Sequence, residues 1–175
     1  MRPLLQPVTP SIEDPLELLK ACHDKVRRFA ALVPRLREHL ARHGPDAQAQ
    51  EAARSILRYF EVAAPLHHDD EEQDLFPALR ALGQAPLNRH MDELQAEHGD
   101  LAGLWQQVRP WLQATVDGQS LACPDAAESF AQRYPAHAQR EEDDVYPAAV
   151  DLDAASVRRI SAAMVSSASA SSCTR

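Results

Sequence analysis

The strongest constraint on this chain is a pattern that occurs twice. The first copy reads His67-His68-Asp69-Asp70-Glu71-Glu72-Gln73-Asp74-Leu75-Phe76-Pro77, and the second His137-Ala138-Gln139-Arg140-Glu141-Glu142-Asp143-Asp144-Val145-Tyr146-Pro147. Each is His, three residues, Glu-Glu, three residues, aromatic, Pro. On a helix, residues i and i+4 share a face about 6 Å apart along the axis. Each copy therefore aims one imidazole and one carboxylate at a common point. One such pair alone is usually a surface pair, and an acidic run is usually a solvated face. Repetition, closed each time by aromatic-Pro, favours two pairs that face each other as a nitrogen-and-oxygen metal site. The run also lies late in its helix, where negative charge opposes the macrodipole by about 0.3–1 kcal/mol per group. A bound cation offsets that penalty for the inward glutamates.

The rest of the chain reads as helices that present these motifs. A length of 175 residues gives one domain with a real core, and the 5% aromatic content and scarce glycine favour helix over sheet. After an irregular, proline-rich arm over residues 1–12, the spacing predicts helices over about 15–43, 46–76, 86–115 and 124–147. Asp14 and Asp46 are the expected N-caps, and Gly44 and Asp117-Gly118 the expected stops. Pro34 is expected to kink the first helix, Pro65 to distort the second, Pro77 to end it and Pro110 to break the third. Asp153 opens a short fifth helix to about Val165, followed by a disordered Ser/Ala-rich tail. The fold class is all-α: an up-down-up-down four-helix bundle over residues 13–150 with a short C-terminal fifth helix.

Four histidines fall in the apolar stripes of their helices at one level. His23 and His98 lie about nine and twelve residues from the starts of their helices, and His67 and His137 each lie ten residues before the closing proline. In an antiparallel bundle all four imidazoles then sit roughly 14–18 Å from the same end. A lone histidine in a core is ordinarily held by one partner. Four at one depth with Glu71 and Glu141 are not explained that way, because two buried carboxylates without a cation cost several kcal/mol each. Four imidazoles and two carboxylates exceed the three ligands of a catalytic zinc. They suit two first-row ions bridged by the carboxylates, iron first and manganese second, with an oxo or hydroxo bridge.

The sequence resembles the hemerythrin-like, or HHE cation-binding, family. The match is carried by His23, by His67 with Glu71-Glu72 and Leu75-Phe76-Pro77, by Glu97-His98, and by His137 with Glu141-Glu142 and Tyr146-Pro147. The resemblance implies a non-haem di-iron centre in a four-helix bundle that binds O2 or related small molecules. It implies His23, His67, Glu71, His98, His137 and Glu141 as ligands, with both glutamates bridging. Relatives that carry O2 place two histidines four apart on the third helix, where this chain has Leu94. The last carboxylate of those carriers corresponds to Glu142, but symmetry with Glu71 favours Glu141. The departure at Leu94 leaves one iron short of a protein nitrogen unless another group fills the gap. Expectation moves from reversible O2 carriage toward sensing, peroxide or NO chemistry, or iron handling. The competing readings are a di-iron oxidase or peroxide-consuming enzyme, and a structural metal in an interaction bundle.

His68 and Glu72, one residue off the stripe, are expected outside the ligand set, and His39, His43 and His90 at the surface. Tyr134, Trp105 and Phe130 are expected to be apolar lining. The net charge of −8 argues against nucleic acid and anionic membranes. Three scattered cysteines point to a reducing cytoplasm. No apolar core of signal-peptide length marks the first residues, and no run reaches the roughly 18 residues of a membrane span.

Overall fold

The computed structural model describes residues 14–172, with side chains to residue 166. The arm expected over residues 1–12 lies outside the described residues. Helix α1 (Pro15–His43) opens on Asp14, whose carboxylate accepts the Leu16 N–H at 3.0 Å. It closes on Gly44 at φ 70°, a conformation glycine adopts without strain. The second rod is built from α2 (Ala47–Arg58), a π turn π1 (Tyr59–Ala63), α3 (Ala64–Asp70), π2 (Glu71–Leu75) and α4 (Phe76–Arg80). Asp46 caps it by accepting the Ala49 N–H at 2.8 Å. The third rod is α5 (Ala85–Val116). The fourth is α6 (Ala126–Arg140), π3 (Glu141–Val145) and a 3-10 turn (Tyr146–Asp151), followed by α7 (Ala154–Ser172).

Each π turn begins six residues before a proline: Pro65, Pro77 or Pro147. Proline lacks an N–H, and its ring crowds the carbonyl four residues back. Widening the turn to i→i+5 pairing moves that carbonyl aside. Proline alone is not sufficient, since Pro34, Pro110 and Pro135 lie inside helices that continue through them without interruption. The wider turns also rotate the buried face of the second rod. Ala64 and Leu75 are buried where an unbroken period predicts Ala63 and Asp74.

Two expectations need correction. Pro77 does not end the second rod, because it falls in the first turn of α4, where a missing N–H breaks no helical hydrogen bond. The fifth helix does not stop near Val165 but reaches Ser172, so most of the tail expected to be disordered is helical. Asp153 caps it by accepting the Ser156 N–H at 2.6 Å, Ile160 and Met164 anchor it in the core, and alanine sustains it beyond.

The rods form a ring in which α1 packs on α2 and α6, and α5 packs on the same two. Two apolar layers show that neighbours alternate in direction. One layer joins the later part of α1 (Val26 to Leu36), the start of the second rod (Ala49 to Ala64), the later part of α5 (Leu101 to Leu112) and the start of α6 (Ala127 to Tyr134). The other joins Leu19, Leu75 and Leu79, Leu87 to Leu94, Val145 and Tyr146, with Ile160 and Met164 of α7. Between these layers lie His23, His67, His98 and His137, so apolar packing on both sides fixes their common depth. Phe130, fully buried against Phe60 at 4.7 Å between ring centroids, anchors the first layer. Phe130→Ala is expected to lower unfolding stability by about 3–5 kcal/mol in denaturant titration. A loss below about 1 kcal/mol would show that this layer is not close-packed.

Candidate metal centre

The polar layer consists of two groups of side chains whose nitrogen and oxygen atoms lie within 4.8 Å of one another. One group is His23, His67, Glu71 and Glu141; the other is His68, His98 and His137. The six residues expected from the sequence are all brought together. Each is buried, Glu71 and Glu141 at 0% exposure. His68, expected outside the ligand set, lies beside them with His98 and His137, while the side chain of Leu94 is buried in the apolar layer with Leu19 and Met91.

Glu71 and Glu141 lie between the groups. Glu141 turns Oε2 toward His23 Nε2 at 3.1 Å, and Oε1 toward His137 Nε2 at 2.9 Å and His98 Nε2 at 3.4 Å. Glu71 Oε2 is 3.6 Å from His67 Nε2 and 3.7 Å from His98 Nε2. Several of these atoms are near one another yet misaligned. Glu71 Oε2, Glu141 Oε2 and His137 Nε2 are buried with no hydrogen-bond partner. Buried polar atoms are rarely left this way. Lone pairs that converge on one point, and not on each other, are the arrangement a cation completes, so the residues present fit a metal.

The imidazoles are held from behind. His23 Nδ1 donates to Glu142 at 2.7 Å, His98 Nδ1 to Glu72 at 2.5 Å, and His137 Nδ1 to Glu97 at 3.0 Å. Each contact leaves Nε2 facing the centre and fixes the ring plane. The carboxylates are themselves tethered: Glu142 by Arg27 at 3.0 Å, Glu72 by Gln95 at 3.2 Å, and Glu97 by Arg140. The double glutamate of each motif thus divides its work. The first faces the centre, and the second crosses to the histidine of a neighbouring helix. The motif's aromatic stacks on that same ring, Tyr146 on His23 at 5.4 Å and Phe76 on His98 at 6.4 Å. Tyr146 adds a hydroxyl that donates to Glu71 Oε1 at 2.6 Å and lies 3.2 Å from His23 Nε2. His67 is the exception, with a buried, unpartnered Nδ1. Cys22 precedes His23 as Glu97 precedes His98, and a thiol is a far weaker acceptor than a carboxylate.

A family model for the hemerythrin HHE cation-binding domain matches residues 14–149. The chain belongs to the hemerythrin HHE cation-binding family. It is also 37% identical over 131 residues to a protein of Haemophilus influenzae described as uncharacterized, covering 74% of this chain and 75% of that one. The matched span includes every residue of the buried cluster.

The electrostatics of this hemerythrin-like cluster suit a cation. Burial pushes His67 down to about 3, and burial with the neighbouring His98 pushes His68 well below its ordinary value. Both rings are neutral, the form that binds metal. Burial and then the charge of Glu141 hold Glu71 well above the carboxylate range. Burial acts most strongly on Glu141 too, but its close approach to the His137, His23 and His98 rings holds it low.

The other histidines are peripheral: His39 faces Asp46 at 3.0 Å, and half-buried His90 lies 3.7 Å from Asp144. Tyr134, Trp105 and Phe130 belong to the first apolar layer. Glu72, Glu97 and Glu142 were not recognised from sequence as orienting groups. The signal was present in the doubled glutamate and in Glu97 beside His98. Replacing any of the three by Ala is expected to weaken metal affinity about 10–100-fold in competition titrations, with the helical spectrum retained. Unchanged affinity in all three would show that the contacts behind the rings are incidental.

Proposed function

We propose that this protein is a non-haem di-iron protein that binds O2 or a related small molecule, NO or peroxide, for sensing, stress protection or iron handling. The observation that carries the reading is the position of Glu71 and Glu141, each within 3.7 Å of imidazole nitrogens from both groups. Carboxylates between two histidine clusters suit a pair of ions better than one. A set rich in nitrogen and oxygen and lacking thiolates favours iron, with manganese second. Bound there, an iron pair would supply the redox chemistry toward O2, NO or peroxide.

The chain's own residues account for the rest. His23 and His67 hold one position, and His98 and His137 the other. Glu142, Glu72 and Glu97 keep the rings aimed, and Tyr146 holds a proton 2.6 Å from Glu71. The two apolar layers exclude bulk water, which strengthens each charge interaction inside. Among the described residues no helix is long and apolar enough to cross a membrane. We place the protein in the cytoplasm, where the unpaired Cys22 and Cys123 fit a reducing compartment.

Anaerobic loading with ferrous iron followed by metal analysis is expected to give about two ions per chain. NO should then give an iron-nitrosyl signal, and O2 a charge-transfer band. Glu141→Ala should lose most of the iron. Binding of a single ion, or a loaded protein optically indifferent to both gases, would overturn this reading.

A further inference from the structure

The two halves of the cluster are not equivalent. On the first side the motif of the fourth rod adds the Tyr146 hydroxyl. On the second side the motif of the second rod adds His68, at a position the repeat fills with Ala138. His68 differs from the other histidines of the cluster in three respects. It is only partly buried, while they are buried. Its ring lies flat on His98, 3.9 Å between centroids and 9° between planes. It also lines a cleft of about 430 Å³ open to solvent, together with Phe60, Pro65, Ala102, Trp105 and Tyr134. The exposed ion pair of Arg109 and Glu61, 2.6 Å apart, also lines it.

The stacking carries the argument. The metal-binding lone pair of an imidazole lies in the ring plane. Two rings stacked face to face direct their lone pairs alongside each other and not toward one ion. His68 is thus within reach of the centre but parked beside it, and among the described residues no carboxylate bonds to it to fix its plane. The three carboxylates that orient rings serve His23, His98 and His137. A neutral ring on the wall of a mostly apolar cleft is free to turn on its side chain, which the tethered rings are not.

We propose that His68 is a displaceable ligand and that this cleft is the route by which a small exogenous ligand reaches the His98–His137 side. The inference rests on the metal-binding reading above. His68 turns in to complete the coordination when nothing else does. It falls back onto His98 when a small neutral molecule or anion such as azide arrives past Ala102 and Trp105. An internal ligand that competes for the position lowers the apparent affinity for the external one by the fraction of time the position is free.

The test uses the full chain loaded with Co2+, whose visible absorption reports coordination number, and with iron for azide binding. His68→Leu is expected to keep the wild-type metal content and to differ in Co2+ absorption without azide. That difference should vanish at saturating azide. Azide affinity should rise about tenfold, the factor for an internal ligand that holds the position nine-tenths of the time. Ala102→Phe, at an exposed position in the cleft, should slow azide association and dissociation alike and leave the affinity unchanged. Loss of a metal ion in His68→Leu, or a spectral difference that persists at saturation, would show a permanent ligand and overturn the proposal. So would a Co2+ spectrum identical to wild type throughout, or azide kinetics untouched by Ala102→Phe. A wild-type chain that takes up no metal refutes instead the reading on which the proposal rests.

Discussion

Two carboxylates, Glu71 and Glu141, share the centre of a helical bundle at 0% exposure. An isolated carboxylate is rarely taken out of water, because desolvation costs several kcal/mol and attraction between neutral neighbours does not repay it. Here two are taken out together and repel each other. Imidazoles surround them and relieve part of the strain, and a proton relieves more by holding Glu71 uncharged. A cation between the histidine groups answers both the desolvation and the repulsion. The gathering of imidazoles around the two carboxylates and the aim of the rings fit that one electrostatic demand.

The structure meets the demand from outside inward. Arg27, Gln95 and Arg140 hold Glu142, Glu72 and Glu97, which in turn hold His23, His98 and His137. A chain of hydrogen bonds thus runs from the solvated face to the centre at three points. The acidic runs that look like ordinary surface charge include the inner links of these chains. The π turns belong to the same design. Two of the three begin at the central glutamates, so the prolines that close the motifs reshape the backbone at the residues that face the centre.

Much of this was legible in the sequence because two periods coincide. The helical stripe puts His23, His67, His98 and His137 inward, and the proline spacing puts them at one depth. His68 was missed because periodicity assigns each residue one direction. A residue adjacent to an inward histidine is ordinarily turned 100° away. The wide turns on either side of α3 relax that rule, and stacking on His98 holds the ring near the cluster. The run of α7 to Ser172 was missed for a different reason. A Ser/Ala composition reads as unstructured until a docked start, here Ile160 and Met164, lets alanine's helix propensity extend it.

The central claim is that the two groups of side chains hold a pair of ions with Glu71 and Glu141 between them. Anomalous X-ray diffraction at the iron edge, from crystals of the iron-loaded protein, tests it most directly. The account predicts two peaks roughly 3.5–4 Å apart, one beside His23 and His67 and one beside His98 and His137. A single peak, or peaks at the surface beside His39 and Asp46 and none in the core, would contradict it.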